Sequence, residues 1–150
     1  MNKILSIIFI LIILQSCSFK PMLADKKYDF RFTKIIYDGD KQINKSIKEN
    51  LINNSVGNNN FEIYFVTAKN KEVVSSNAKG DPIKFKLKIN LEYKIIKDEE
   101  ILVNNSVIKE TNYNNIDDKL ELSQFEENTI NNLIDDLSQE ILMSVVAIDS

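Results

Sequence analysis

The clearest pattern in the chain is the alternation of side chains across residues 83–97, in which seven consecutive odd-numbered positions are apolar. The apolar positions are Ile83, Phe85, Leu87, Ile89, Leu91, Tyr93 and Ile95. A period of two residues predicts a β-strand with one covered face, as in an antiparallel sheet. Residues 101–113 alternate less regularly and follow the charged segment Lys97-Asp98-Glu99-Glu100. We therefore expect them to return as the second strand of a long hairpin.

Two earlier segments, residues 29–37 and 61–71, also have the character of strands. Their expected apolar faces consist of Phe30, Phe32 and Ile36 in the first and of Phe61, Ile63 and Phe65 in the second. Lys34 interrupts the first alternation, which indicates a β-bulge or burial on both faces. Residues 53–60 are rich in Asn and contain Gly57, so they predict a loop.

Two further segments have apolar residues at helical spacing. In residues 41–54 the apolar stripe is Ile43, Ile47 and Leu51, with Ile52 alongside, and either Asp38 or Asp40 is suited to the N-cap. The segment Ser123-Gln124-Phe125-Glu126 has the form of a capping box and predicts the start of a closing helix. Its broad apolar face comprises Ile130, Leu133, Ile134, Leu137, Ile141, Leu142, Val145 and Ile148.

The predicted order of elements is strand, helix, three strands and helix. Two helices with separate apolar stripes and a sheet with one apolar face imply two packed layers. We therefore predict an α+β sandwich with a four-stranded sheet, mixed or antiparallel, and both helices on one face. A single domain is expected over residues 28–150.

The first seventeen residues have the organisation of a bacterial lipoprotein signal peptide. Lys3 precedes an apolar run, residues 4–14, that is too short to span a membrane as a helix. Leu14-Gln15-Ser16-Cys17 ends it with a small residue directly before the one cysteine of the chain. We predict that residues 1–16 are removed, that Cys17 is acylated and that residues 17–27 form a tether. An uncleaved anchor, or a secretory signal with an incidental cysteine, is the alternative.

Composition narrows the range of functions. The chain has 19 basic and 22 acidic side chains, and this balance argues against nucleic acid as a partner. It contains no histidine and only one cysteine, so the usual pairs of nucleophile and general base cannot be built. We expect neither enzyme activity nor a cofactor or metal. The acidic residues Asp117, Asp118, Glu121, Glu126 and Glu127 lack the pattern of a calcium loop, and helix capping with solvated charge explains them.

The segment Cys17-Ser18-Phe19-Lys20-Pro21-Met22 resembles the start of mature lipoproteins of the LptE family, particularly the alphaproteobacterial form. That start is Cys-Gly-Phe, Arg or Lys, Pro and Leu, so Ser18 and Met22 depart from it. Beyond this motif the resemblance rests on the order and spacing of the elements. It implies an outer-membrane lipoprotein that acts as plug and assembly partner of the LptD β-barrel, which delivers lipopolysaccharide to the outer leaflet. Ser18, where a retention signal would be Asp, agrees with outer-membrane sorting.

The alternative is a lipid-anchored envelope module that binds a small ligand or a component of a transporter. A monomer that is stable without a barrel would favour it.

Three lysines, Lys84, Lys86 and Lys88, lie on the polar face of the third strand. Such a ladder, with a repeat of about 6.8 Å, could meet the phosphates of lipopolysaccharide. Two other interpretations remain open. The lysines could form an ordinary solvated face or protect the edge of the sheet, or this face could meet the wall of the barrel.

Overall fold

The computed structural model describes residues 27–149, so the predicted signal peptide, Cys17 and most of the predicted tether lie outside the described residues. The elements are β1 (Tyr28–Gly39), α1 (Lys41–Asn54), β2 (Ser55–Ser76), β3 (Pro82–Lys97), β4 (Glu100–Asn114) and α2 (Lys119–Ile148).

The four strands form one sheet in the order β1-β2-β3-β4. β1 and β2 run parallel and are joined through α1, whereas β2, β3 and β4 form an antiparallel meander. Both helices pack on one face of this mixed sheet. The predicted α+β sandwich is confirmed.

The core lies between the sheet and the helices. Odd-numbered residues of β3 from Leu87 to Ile95 are buried, as the alternation predicts, whereas Ile83, expected in the same apolar row, is 49% exposed. The two helices contribute Ile43, Ile47 and Leu51 from α1 and Leu133, Ile134, Leu137, Ile141, Leu142 and Val145 from α2. Each fully buried side chain of this size stabilises the fold by about 1.5–3 kcal/mol relative to exposure.

A register shift in β1 confirms the bulge that Lys34 indicated. Phe32 lies opposite Phe61, and Lys34 then lies opposite Glu62, which leaves one extra residue in β1. The extra residue inverts the alternation, so Ile35 packs against the core and Ile36 is 45% exposed. The expectation that Ile36 shares a face with Phe30 and Phe32 is therefore wrong.

β2 begins earlier than the sequence indicated, and the predicted loop at residues 53–60 is wrong. Tyr28 already lies opposite Ser55 in the parallel ladder, and Phe30 lies opposite Asn59. A Cβ atom on Gly57 would lie 2.0 Å from the backbone carbon of Asp29, so the two chains approach too closely for another residue. Tertiary pairing thus overrides the weak strand preference of Asn and Gly.

The helix starts were predicted with mixed success. The Asp40 carboxylate accepts hydrogen bonds from the amides of Gln42 and Ile43, both at 3.1 Å, so Asp40 is the N-cap of α1. The capping box at Ser123 is wrong, because α2 begins at Lys119 and Asp118 caps it. Ile52, expected beside the buried stripe of α1, faces solvent.

Candidate interaction face of the sheet

The face of the sheet opposite the helices is the candidate functional surface, and we call it the open face. Side chains alternate along a strand, so the even-numbered residues of β3 project away from the buried odd-numbered ones. Lys84, Lys86 and Lys88 all lie on the open face, towards the end of the sheet where Asn114 pairs with Lys84. The predicted ladder of lysines is therefore present as an arrangement.

Carboxylates accompany these lysines. The ammonium group of Lys86 lies 3.3 Å from Glu110 on β4, and Glu72 on β2 stands opposite Lys86 in the register. Lys84 and Lys88 have no ion pair within 4 Å among residues 27–149. Two cations of the ladder are thus available to an anionic ligand, while Lys86 would have to exchange its carboxylate. That these lysines bind lipopolysaccharide stays a prediction.

Apolar side chains share the open face with the charges. Ile36 on β1 lies opposite Tyr64 on β2, and both are about half exposed. Ile108 on β4 lies opposite Asn90 and is 53% exposed. A mixture of exposed apolar and charged side chains is the composition of a non-obligate protein interface.

Sequence reasoning did not single out Ile36 or Ile108 as surface residues. Ile36 could not be placed, since its face depends on the position of the bulge in β1. Ile108 could not be placed either, because the bulge at Leu102 shifts the register of β4 and brings Ile108 opposite Asn90.

A second polar cluster lies on the helix side of the sheet and joins β2, β4 and α2. The Tyr113 hydroxyl donates a hydrogen bond to Glu126 at 2.8 Å, and Lys71 forms an ion pair with the same carboxylate. The Lys71 ammonium also lies 4.2 Å from the centre of the Phe85 ring. The polar groups of the cluster are paired with one another, so we assign the cluster a structural role that holds β2, β4 and α2 together.

The titration of this cluster follows from its contacts. Burial raises the pKa of the Tyr113 phenol, and the hydrogen bond and charge of Glu126 raise it further. Burial also acts to raise the pKa of Glu126. The hydrogen bonds from Lys71 and Tyr113, with the positive charges of Lys71 and Lys69, outweigh burial and hold that pKa below its usual value.

A cleft of about 370 Å³ lies beside the turn between β3 and β4. Its lining is Thr33, Asn60, Phe61, Glu62, Ile96, Lys97, Asp98 and Glu99. The Lys97 ammonium lies 4.8 Å from the centre of the Phe61 ring and 3.5 Å from Asp149. Most ligand pockets are lined by apolar side chains, and this polar lining does not match them.

Two further findings concern only residues 27–149. No group of three or more His, Cys, Asp or Glu side chains is arranged to hold a metal ion there. Neither helix combines the length and the hydropathy that are needed to span a membrane.

Comparison with solved structures finds this architecture in bacterial lipoproteins. The crystal structure of rare lipoprotein B from Shewanella oneidensis superposes with a TM-score of 0.60 at 13% identity, covering 77% of this chain and 96% of that one. The chain has the LptE-type fold. The solution structure of an uncharacterized lipoprotein B from Nitrosomonas europaea gives a TM-score of 0.63 at 14% identity, over 85% of this chain and 90% of its own.

A minor lipoprotein from Acinetobacter baumannii shares the fold as well, with a TM-score of 0.51 at 12% identity over 80% of this chain and 95% of that chain. No family model matches the sequence, and no curated protein matches it. At these identities the likeness establishes the fold.

Proposed function

We propose that the protein is an outer-membrane lipoprotein that plugs the LptD β-barrel, helps to assemble it and thereby serves the transport of lipopolysaccharide to the outer leaflet. The observation that carries this proposal is the LptE-type fold of residues 27–149. The same chain carries the Leu14-Gln15-Ser16-Cys17 signal and the Cys17–Met22 segment that resembles the LptE family, and both support the proposal.

The open face is the surface that we assign to the barrel wall. It presents exposed Ile36, Tyr64 and Ile108 beside opposite charges. Lys34 and Glu62 form an ion pair of 3.1 Å on this face, and both side chains are about half exposed. An exposed ion pair contributes little to stability, so either side chain could instead pair with a charged group of a partner. The inner wall of a β-barrel is polar. A face that carries both apolar side chains and opposite charges can contact such a wall without leaving a buried charge unpaired.

Affinity purification tests the partner. The full chain, carrying a C-terminal tag, is solubilised from outer membranes and purified in mild detergent. We expect a large β-barrel to be recovered in stoichiometric amount. Recovery of the tagged chain alone, with the barrel present in the same membranes, would overturn the proposal.

Photo-crosslinking in intact cells tests the surface. A photoreactive residue at Lys88 samples the open face, and one at Asp136 samples the exposed side of α2. We expect a barrel adduct at Lys88, stronger than the adduct at Asp136. Absence of an adduct at both positions would contradict the plug.

A module that binds a small ligand is the second candidate. The cleft beside the β3–β4 turn gives it no support, because its lysine already contacts Phe61 and Asp149 and its lining is mostly polar.

A further inference from the structure

The outer strand β4 has an edge with few protecting features. β1 and β4 are the two edge strands of the sheet, so no strand pairs with the outer side of either. On β4 the Ser106 amide donates a hydrogen bond to the side-chain carbonyl of Asn105 at 2.8 Å, and this bond would be exchanged when another strand pairs there. β1 is interrupted by register shifts and carries Arg31 and Lys34. Residues 101–108 of β4 contain neither a charged side chain nor Pro or Gly. Charges, prolines and bulges are the usual devices that keep an edge from pairing, and this stretch has only one bulge.

Exposed apolar side chains coincide with this uncharged stretch. Ile101 is 54% exposed, Leu102 is 39% exposed and Ile108 is 53% exposed. The bulge is at Leu102, since Val103 lies opposite Ile95 and Ile101 lies opposite Ile96. An edge with these properties is a template for another strand.

We infer that β4 pairs with β4 of a second copy of this chain, antiparallel, about a two-fold axis at Asn105. The sequence of the strand carries this inference, because it is complementary to itself in that register. Asn104 then lies opposite Ser106, and Val103 lies opposite Val107. The bulge at Leu102 brings Ile101 opposite Ile108 and brings Glu100 opposite Lys109.

Residues that lie opposite each other in this register also lie on the same side of the sheet. Val103 and Val107 both lie opposite odd-numbered β3 residues, Ile95 and Leu91, and pack towards the helices. Ile101 and Ile108 both lie opposite even-numbered β3 residues and belong to the open face. A two-fold axis perpendicular to a sheet requires this match, since residues opposite each other in an antiparallel pair point to the same side.

Shifting the axis removes the complementarity. An axis at Asn104 would place Val103 opposite Asn105, and an axis at Ser106 would place Val103 opposite Lys109. Only the axis at Asn105 pairs apolar with apolar residues and Glu100 with the cation of Lys109, which also lies 3.5 Å from Glu140 of its own chain. The result is one continuous sheet with the helices of both copies on the same side.

Disulfide formation tests the register directly. In the inferred dimer the two Asn105 Cα atoms lie about 4.5–5.5 Å apart, within the reach of a disulfide. The two Asn112 Cα atoms lie roughly 45–50 Å apart. The full chain is prepared as Asn105→Cys and, as a matched control on the same strand, as Asn112→Cys. We expect the first variant to form a covalent dimer under mild oxidation, at least tenfold faster than the control or the unsubstituted chain, which has Cys17 alone. Equal rates would overturn the register.

The mass of the full chain, purified in detergent from membranes that lack the barrel, tests the association itself. We expect a dimer that Asn105→Lys converts to a monomer, because two lysines would face each other at the axis. Asn112→Lys adds the same charge away from the axis and should leave the dimer intact. A monomeric unsubstituted chain, or a dimer that survives Asn105→Lys, would overturn the inference. Recovery of a barrel is measured separately, so this result and the test of the proposed function are distinguishable.

Discussion

Tyr113 and Glu126 are joined by a hydrogen bond of 2.8 Å that fixes the end of β4 to the first half of α2. Lys71 reaches the same carboxylate from β2 and completes the cluster. One acidic side chain thus connects three elements that are distant in the sequence.

Replacing Glu126 should therefore destabilise the fold. Glu126→Gln removes the charge from two hydrogen bonds in a partly buried site, and we expect a loss of about 1–2 kcal/mol in the free energy of unfolding. Urea denaturation measures it. Glu127→Gln, at the neighbouring exposed position, is the matched control and should leave stability nearly unchanged.

The stabilising effect of Glu126 should depend on pH. Its pKa is lower in the folded chain than in the unfolded one, so its contribution is complete above the unfolded value of about 4.3 and is lost as the pH falls through the folded value. The difference in stability between the natural chain and Glu126→Gln should shrink as the pH is lowered below about 4.3. A difference that stays constant down to pH values near 2 would contradict the assignment.

The turn between β3 and β4 offers a stabilising substitution. Asp98 has a φ angle of 51° and Glu99 a φ angle of 67°, so both occupy the left-handed region without being glycine. A two-residue turn of this kind favours Asn-Gly. Glu99→Gly should raise the free energy of unfolding by about 1 kcal/mol, as read from the thermal midpoint. Glu100→Gly, within the β4 ladder, should lower it instead.

Two substitutions distinguish the observed start of α2 from the predicted one. The Asp118 carboxylate accepts hydrogen bonds from the amides of Leu120 at 2.8 Å and Glu121 at 3.1 Å. Asp118→Ala should cost about 1 kcal/mol. Ser123→Ala lies inside the helix and should be neutral or slightly stabilising in the same denaturation experiment.

The strict periodic patterns were sufficient to predict most of the fold. The alternation in β3 from Leu87 to Ile95 and the apolar stripe of α2 from Leu133 to Val145 correspond to buried residues, because burial on one face imposes those periods. Ile83 and Ile148, at the ends of the two predicted patterns, are exposed.

Local signals were weaker. Ser123 had the form of a cap, yet Asp118 caps the helix one turn earlier, and Leu122 in this added turn is buried. Residues 55–60 pair with β1 although their composition is that of a loop, and only the tertiary partner explains this.

The candidate site was predictable in part. Spacing placed Lys84, Lys86 and Lys88 on one face, since a strand allows no other arrangement. Their carboxylate neighbours depend on the register with β2 and β4, which one strand alone does not contain. Glu72 and Glu110 therefore emerged only from the fold.

The lysine ladder leads to a binding prediction. Lys84, Lys86 and Lys88 replaced together by Ser should weaken binding of lipopolysaccharide in a manner that depends on salt. Replacing Lys41, Lys45 and Lys119 removes the same charge from exposed positions on the helix side and is the control. Equal effects of the two triple variants would indicate that the ladder is an ordinary solvated face.

The anchor leads to a prediction about location. Cys17→Ala should abolish labelling with palmitate and release the protein from the membrane fraction. The circular dichroism spectrum should be unchanged, because residues 28–145 already form a buried core within the part of the chain that the structure describes. Loss of the folded spectrum would mean that the tether belongs to the core.

The parallel pairing of β1 with β2 bears on the order of folding. The antiparallel strands β2, β3 and β4 are joined by short turns and can pair through local contacts. The parallel pair of Tyr28 with Ser55 spans the α1 crossover, so we expect it to form later. β1 is also the strand that follows the predicted lipid tether. In a chain that is anchored through Cys17, the strand joined to the anchor is therefore the one expected to pair last. The sheet of such a chain would be completed at its anchored end.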